Sequence, residues 1–213
     1  MLGASGAVGG QALKALLERP EVQVTSLGRR ALDLQAAKLA QFIIDVSDPA
    51  SYQAHLAGQD AALCTLGVGQ PSKMSREEFL RIDRDAVLAF GKACKAAGIR
   101  HFSLLGAVGS DPQSSFFYPR TKGQLEEGLS ALGFESLSLF QPSMILTPTN
   151  RYGLSQAVVL KLWPLLDRFL LGSWRKFKGV RVEDLGRAMA LDALQARLGE
   201  RRLTWDDFQA LNR

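Results

Sequence analysis

Three groups of residues have types and spacings that could do chemistry. The first is the turn Gly3-Ala4-Ser5-Gly6-Ala7-Val8-Gly9, with a glycine at every third position. In such a turn the first glycine permits a tight bend off a strand. The second lets a pyrophosphate approach the backbone with no Cβ in the way, and the third allows close packing of the next helix. The phosphates would sit at a helix N-terminus, among unpaired N–H groups and the positive end of the dipole. The second group is Arg29-Arg30, directly after Leu27-Gly28. An acidic residue there would bind a ribose 2′-hydroxyl, whereas two guanidiniums suit a 2′-phosphate by charge and by forked geometry. NADP(H) is therefore the expected cofactor. The third group is Tyr118 and Lys122, whose spacing of four puts both on one helix face. A lysine in that position lowers the tyrosine pKa and holds a cofactor ribose. The tyrosine can then pass a proton to or from a carbonyl oxygen while hydride moves.

These groups need elements to hold them, and the chain supplies an alternation. Val22–Leu27, Phe42–Asp45, Ala61–Thr65, His101–Leu105 and Ser136–Phe140 read as short apolar strands. Helical spacing runs over Val8–Arg19, where Ala12, Leu13, Leu16 and Leu17 share a face. It recurs over Arg76–Ala97, Lys122–Leu132 and Val182–Leu198, the last opened by Glu183-Asp184 at its positive end. Strands alternating with helices predict an α/β fold: a Rossmann-type doubly wound parallel sheet with helices on both faces. One feature is unusual. A phosphate-binding turn follows a strand, yet only Met1 and Leu2 precede Gly3, so residues upstream of Met1 are expected to supply the first strand. Leu154–Leu171 offers Leu160, Trp163, Leu166, Phe169 and Leu170 for an apolar face, expected to cap the substrate side of the sheet. A protein partner or homodimer contact is its alternative use.

Composition narrows the classes. A chain of 213 residues, 46% hydrophobic, is read as one Rossmann domain over 1–213, with about 143–181 forming a small substrate-side cap. No run of eighteen apolar residues is free of charge, so no membrane span is predicted, and the start lacks a secretory pattern. The net charge of +5 is modest and spread out. It suits an anionic small ligand, and the basic run Arg175–Arg181 sits in no nucleic-acid-binding motif. Cys64 and Cys94 lie in apolar segments and read as buried, reduced thiols of a cytoplasmic protein. His55 and His101 lack ligands at metal spacing and are assigned structural roles.

Together, Met1–Gly6, Leu27–Arg30, Cys64–Gly67, Ser114–Gly123, Phe140–Ser143 and Val182–Ala188 resemble the atypical short-chain dehydrogenase/reductases. Among them the likeness is to the Tat-interacting-protein-like group and its bacterial relatives. The resemblance implies bound NADPH, with Gly3, Ala4, Ser5, Gly6, Ala7 and Val8 on the pyrophosphate and Arg29 and Arg30 on the 2′-phosphate. Asp45 and Val46 would flank the adenine, Thr65, Leu66 and Gly67 would line the cofactor, and Pro142 and Ser143 would lie near the nicotinamide. Tyr118 and Lys122 would be the catalytic pair, reducing a small carbonyl-type substrate. Two departures stand out. Gly106 occupies the position where such reductases carry a substrate-binding serine, and Gln141-Pro142 replaces the family's Arg-Pro. The first leaves open a non-catalytic NADPH-binding, regulatory or partner-binding role.

Overall fold

The computed structural model describes residues 1–68, 74–147, 167 and 170–213. Its sheet is built from β1 (Val24–Gly28), β2 (Leu39–Ile43), β3 (Ala61–Cys64), β4 (His101–Leu105), β5 (Ser136–Phe140) and β8 (Gly199–Leu203). A separate short pair, β6 (Ile145–Leu146) and β7 (Val180–Arg181), lies beyond it. Every pairing in the sheet is parallel: β2 beside β1, and β3, β4, β5 and β8 in that order. Leu2 joins the two halves, bridging Leu27 on one side and Cys64 on the other. Its N–H donates to Leu63 O (2.8 Å) and its carbonyl accepts from Thr65 N (2.9 Å). Behind Met1 lies a cavity of about 760 Å³, walled in part by Val24, Thr25, Ala61 and Leu63.

The helices cover both faces, as the alternation predicts. On one face α1 (Ala7–Leu17) and α5 (Val182–Gln195) pack Val8, Ala12, Leu13, Leu185 and Met189 against Val24, Leu63 and Phe140. On the other, α3 (Val87–Ala96) and α4 (Phe117–Ser130) pack Val87, Phe90, Leu125 and Leu129 against Leu27, Phe102, Leu104 and Leu139. Adjacent strand residues such as Leu63 and Cys64 thus serve opposite cores, the two-residue period of a strand. The segment read as one helix over Arg76–Ala97 is α2 (Arg76–Leu80), a π-helical stretch (Arg81–Ala86) and then α3.

Several boundaries differ from expectation. The second strand begins at Leu39 and ends at Ile43, because pairing with β1 sets its register (Val24 opposite Leu39, Gly28 opposite Ile43). α4 starts at Phe117, five residues before the helical spacing suggested, so Tyr118 and Lys122 are both inside it. The last long helix stops at Gln195, where Ala196 takes φ +42°. β8 and α6 (Trp205–Leu211) were not foreseen. Apart from residues 167, 170 and 171, the cap segment Leu154–Leu171 lies outside the described residues.

Buried polar residues tie the sheet to α5. Arg201 Nη2 donates to Asp192 Oδ1 (2.6 Å) and to Ser138 Oγ (2.8 Å). His101 Nε2 faces Ser138 Oγ at 3.2 Å and Asp192 Oδ2 at 3.5 Å. The other histidine, His55, stacks on Phe42 with ring centroids 3.7 Å apart. Cys64 and Cys94 are both buried and unpaired, and burial pushes each thiol up to about 12.

Candidate cofactor and Tyr-Lys site

The glycine turn is built by close approach. Gly3 has φ +93°, and a Cβ there would fall 2.7 Å from backbone atoms of Thr65 and Leu66. At Gly9 an added Cβ would lie 2.2 Å from Gly3 O and 2.4 Å from Thr65 Oγ1. Thr65 Oγ1 itself donates to Gly3 O at 3.0 Å, so the turn rests on the end of β3. No side chain caps the N-terminus of α1 and its first turn holds no acidic residue, which leaves the leading N–H groups to an anionic ligand.

Over this turn opens a cavity of about 610 Å³. Its walls are Leu2, Gly3, Ser5, Gly6, Gly28, Arg29, Arg30, Val46, Thr65, Leu66 and Gly67. Nine of the expected cofactor contacts therefore converge on one space, drawn from Leu2's bridge region and the C-terminal ends of β1 and β3, the usual ligand edge of a doubly wound sheet. Arg29 and Arg30 are exposed. Ala4 and Val8 are instead buried in the α1 core and Ala7 is half-buried. Asp45 is exposed and organises its own loop, accepting from Ser47 N at 2.8 Å. Uncapped helix N–H groups, backbone without Cβ atoms and two guanidiniums fit the phosphates of a dinucleotide.

The Tyr-Lys pair sits on α4. Pro119 is in the first turn, where its missing N–H costs nothing. Gly123, next to Lys122, lets the preceding loop touch the helix, since a Cβ there would be 2.2 Å from Pro112 N. Lys122 is buried, and its Nζ lies 2.6 Å from Asp83 Oδ1 and 5.8 Å from the centre of the Tyr118 ring. Asp83 Oδ2 accepts from Val68 N at 2.7 Å, one residue beyond Gly67 of the cavity over the glycine turn. That hydrogen bond connects the two parts of the site.

The expected lowering of the tyrosine pKa is not what results. Burial against Phe79 holds the Tyr118 phenol above its ordinary value, with Lys122 pulling it down and Asp83 pushing it up again. The ammonium is itself met by a carboxylate at contact distance, and burial is the largest of the three influences on the phenol.

One turn further along α4 is Glu126, buried although ionisable. Its Oε2 accepts from Gln141 Nε2 at 2.8 Å, with Arg202 Nε at 3.9 Å. Burial raises its carboxyl above the usual range despite Ser110, Gln141 and Arg202. Its Oε1 lies 2.9 Å from where a Cβ at Gly106 would stand. Both departures from the family pattern thus meet at one carboxylate: Gln141 hydrogen-bonds it, and Gly106 makes room for it. Pro142 O accepts from Val108 N at 2.9 Å, tying the β5 exit to the Gly106 loop, and Ser143 follows half-buried.

Asp83 and Glu126 were missed by sequence reasoning. Asp83 is an acidic residue between Phe79 and Val87 on one helix face, and Glu126 lies one turn from Lys122 and next to the buried Leu125 and Leu129. For Asp83, a charge in an apolar stripe was the available signal.

The family model described as NAD(P)H-binding matches residues 3–133. This chain belongs to that family. The rat protein HTATIP2 is 31% identical over 207 residues, covering 95% of this chain and 84% of its own length. The mitochondrial protein fmp52 of Emericella nidulans is 32% identical over 152 residues, 68% of this chain and 65% of that protein. Among solved structures, MoeE5 in complex with UDP-glucuronic acid and NAD superposes with a TM-score of 0.73 at 19% identity, covering 95% of this chain and 74% of that one. The NAD(P)H-binding family and the Tat-interacting-protein-like kinship expected from the motifs are thus established, as is the Rossmann-type fold.

Proposed function

We propose that this NAD(P)H-binding, oxidoreductase-like protein is an NADP(H)-dependent reductase of a small carbonyl-type substrate. The observation that carries the reading is the link Gly67–Val68–Asp83–Lys122, which joins the phosphate cavity to Tyr118. Arg29 and Arg30 at the cavity wall favour a 2′-phosphate over a bare hydroxyl. Lys122 would hold the cofactor ribose. A bound NADPH supplies the hydride. Tyr118, kept a neutral phenol, gives its proton to the substrate oxygen as that oxygen gains negative charge, and 40% of its surface reaches solvent for the exchange. The reading takes 1–213 as one domain with a substrate cap at about 143–181, and places the protein in the cytoplasm, where reduced Cys64 and Cys94 persist. The fungal relative's name says mitochondrial, and cell fractionation decides between the two compartments. No helix among the described residues is long and apolar enough to cross a membrane.

Replacing Tyr118 by Phe tests the mechanism. Turnover of a carbonyl substrate should fall by at least about 100-fold, the usual worth of a positioned proton donor, while NADPH affinity stays within twofold. Undiminished turnover would remove Tyr118 from the chemistry. A second reading, a cofactor-binding regulatory protein, draws on Glu126 filling the space beside Gly106, where reductases carry a hydroxyl. It is favoured if NADPH co-purifies with the protein and no carbonyl compound oxidises it.

A further inference from the structure

Leu2 takes the inner side of β1, which leaves β2 as the outer strand of that half of the sheet. Lys38 O accepts from Val24 N at 2.8 Å and Ile44 N donates to Gly28 O at 2.9 Å, so the even-numbered residues of β2 turn their backbone groups to β1. Gln41 and Ile43 therefore point their N–H and C=O groups outward, and among the described residues nothing pairs with them. The Gln41 side chain is committed elsewhere. It accepts from Leu32 N at 2.8 Å and donates to Leu34 O at 2.6 Å, on the α1 face where Leu32 packs. A free strand edge recruits another strand, and edges are usually blunted by charge, proline or a bulge. The edge at β8 follows that rule: it reads Gly-Glu-Arg-Arg-Leu, with Glu200 and Arg202 exposed. β2 does not. Leu39–Ile44 reads Leu-Ala-Gln-Phe-Ile-Ile, without a charge or a proline, and Phe42 and Ile43 are 37% and 71% exposed. The nearest charges are opposite in sign and stand at opposite ends, Lys38 before the strand and Asp45 after it.

We propose that β2 docks on β2 of a second copy of this chain, antiparallel, with Phe42 on the two-fold axis. In that register Gln41 of each copy faces Ile43 of the other, and each such pair exchanges two hydrogen bonds. The outward N–H and C=O groups of both residues are thereby satisfied. The Lys38 end of one strand comes beside the Asp45 end of the other, whereas parallel pairing would set like ends together. The two Phe42 side chains meet across the axis at the short, non-hydrogen-bonded spacing, and the apolar surface of Phe42 and Ile43 leaves water. The contact uses the same patch on both copies and consumes the β2 edge, so association stops at two. The pairing stands apart from the reductase reading, and its test requires no turnover.

Sedimentation velocity of the full chain between about 1 and about 200 µM tests this, since an interface of this small size predicts a monomer–dimer midpoint in roughly the micromolar range. Ile43→Lys places like charges in the pairing and should raise the dissociation constant at least about tenfold. Leu198→Lys, at a comparably exposed site beside β8, should leave it within about twofold. Register is read by introducing one cysteine at a time, because Cys64 and Cys94 are buried, with thiols pushed up to about 12, and do not compete. Phe42→Cys brings two thiols face to face within disulfide range and should cross-link as a dimer when diamide takes up the two thiol hydrogens. Ile43→Cys sets its two thiols on a diagonal, about 7–8 Å between strands, and should cross-link at least about fivefold less. A chain that stays monomeric throughout the concentration range, or a dimer that Ile43→Lys leaves intact, overturns the proposal. If Ile43→Lys does not fold, the cross-linking decides alone: equal yields at the two positions, or none in Phe42→Cys, overturn it.

Discussion

Two adjacent glycines in α1 should respond to the same substitution with opposite sign. At Gly9 a new Cβ would sit 2.2 Å from Gly3 O and 2.4 Å from Thr65 Oγ1, about 1 Å inside ordinary contact with each. The carbonyl of Gly3 cannot rotate away, because it accepts from Gly6 N (2.9 Å) as well as from Thr65 Oγ1. Relief requires α1 to back off from the turn as a unit. Forcing one methyl into a packed site costs about 1–3 kcal/mol, and backbone neighbours put Gly9→Ala at the upper end, about 3 kcal/mol. At Gly10 the same methyl meets only Ala4 O at 3.5 Å, an ordinary contact. There the gain in helix propensity dominates, and Gly10→Ala should stabilise by about 0.5–1 kcal/mol. Urea unfolding followed by tryptophan fluorescence measures both. NADPH titration adds a second readout: Gly9→Ala displaces the leading N–H groups of α1 and should weaken cofactor binding at least about tenfold, whereas Gly10→Ala should leave it within twofold. Equal stabilities for the two variants would refute the close approach of α1 to Gly3 and Thr65.

Two further outcomes follow from the cavity and from α4. On the proposed NADP(H) reading, replacing Arg29 and Arg30 together by Ala should cost NADPH about tenfold or more in affinity and NADH little, since each exposed guanidinium would give a charge-assisted hydrogen bond to the 2′-phosphate alone. Equal losses for both nucleotides in calorimetric titrations would remove the 2′-phosphate assignment. Glu126 has a carboxyl raised by burial, so its protonated form is favoured in the folded state. Its contribution to stability is complete below its ordinary value of 4.5 and is lost as pH rises through the higher folded value. Glu126→Gln should therefore flatten the decline of unfolding free energy just above pH 4.5, and an unchanged pH dependence would contradict the buried-carboxylate account.

Much of the frame was legible in the residues. β4 and β5 fall where the apolar runs His101–Leu105 and Ser136–Phe140 put them, because strands covered on both faces need continuous hydrophobic sequence. Edge strands carry no such signal. β8 reads Gly-Glu-Arg-Arg-Leu and is held by backbone pairing with β5, which sequence periodicity does not encode. β2 lies at the opposite edge, largely exposed, and its register against β1 rather than its most apolar residues sets its limits. Leu2 stands between the two halves of the sheet, bridging Leu27 and Cys64.

The sequence by itself determined the glycine turn, since only glycine tolerates the contacts at Gly3 and Gly9, and it determined the pairing of Tyr118 with Lys122, since a spacing of four fixes neighbours on a helix. Tertiary structure decided which charged side chains those groups face. Asp83 meets Lys122 across 39 positions and Glu126 meets Gln141 across 15, in contacts made by helix against helix and helix against strand end. A local pattern specifies which side chains share a face. Which charge stands opposite them depends on how distant elements cross, as where the Asp83 carboxylate meets the buried Lys122 ammonium beside Tyr118.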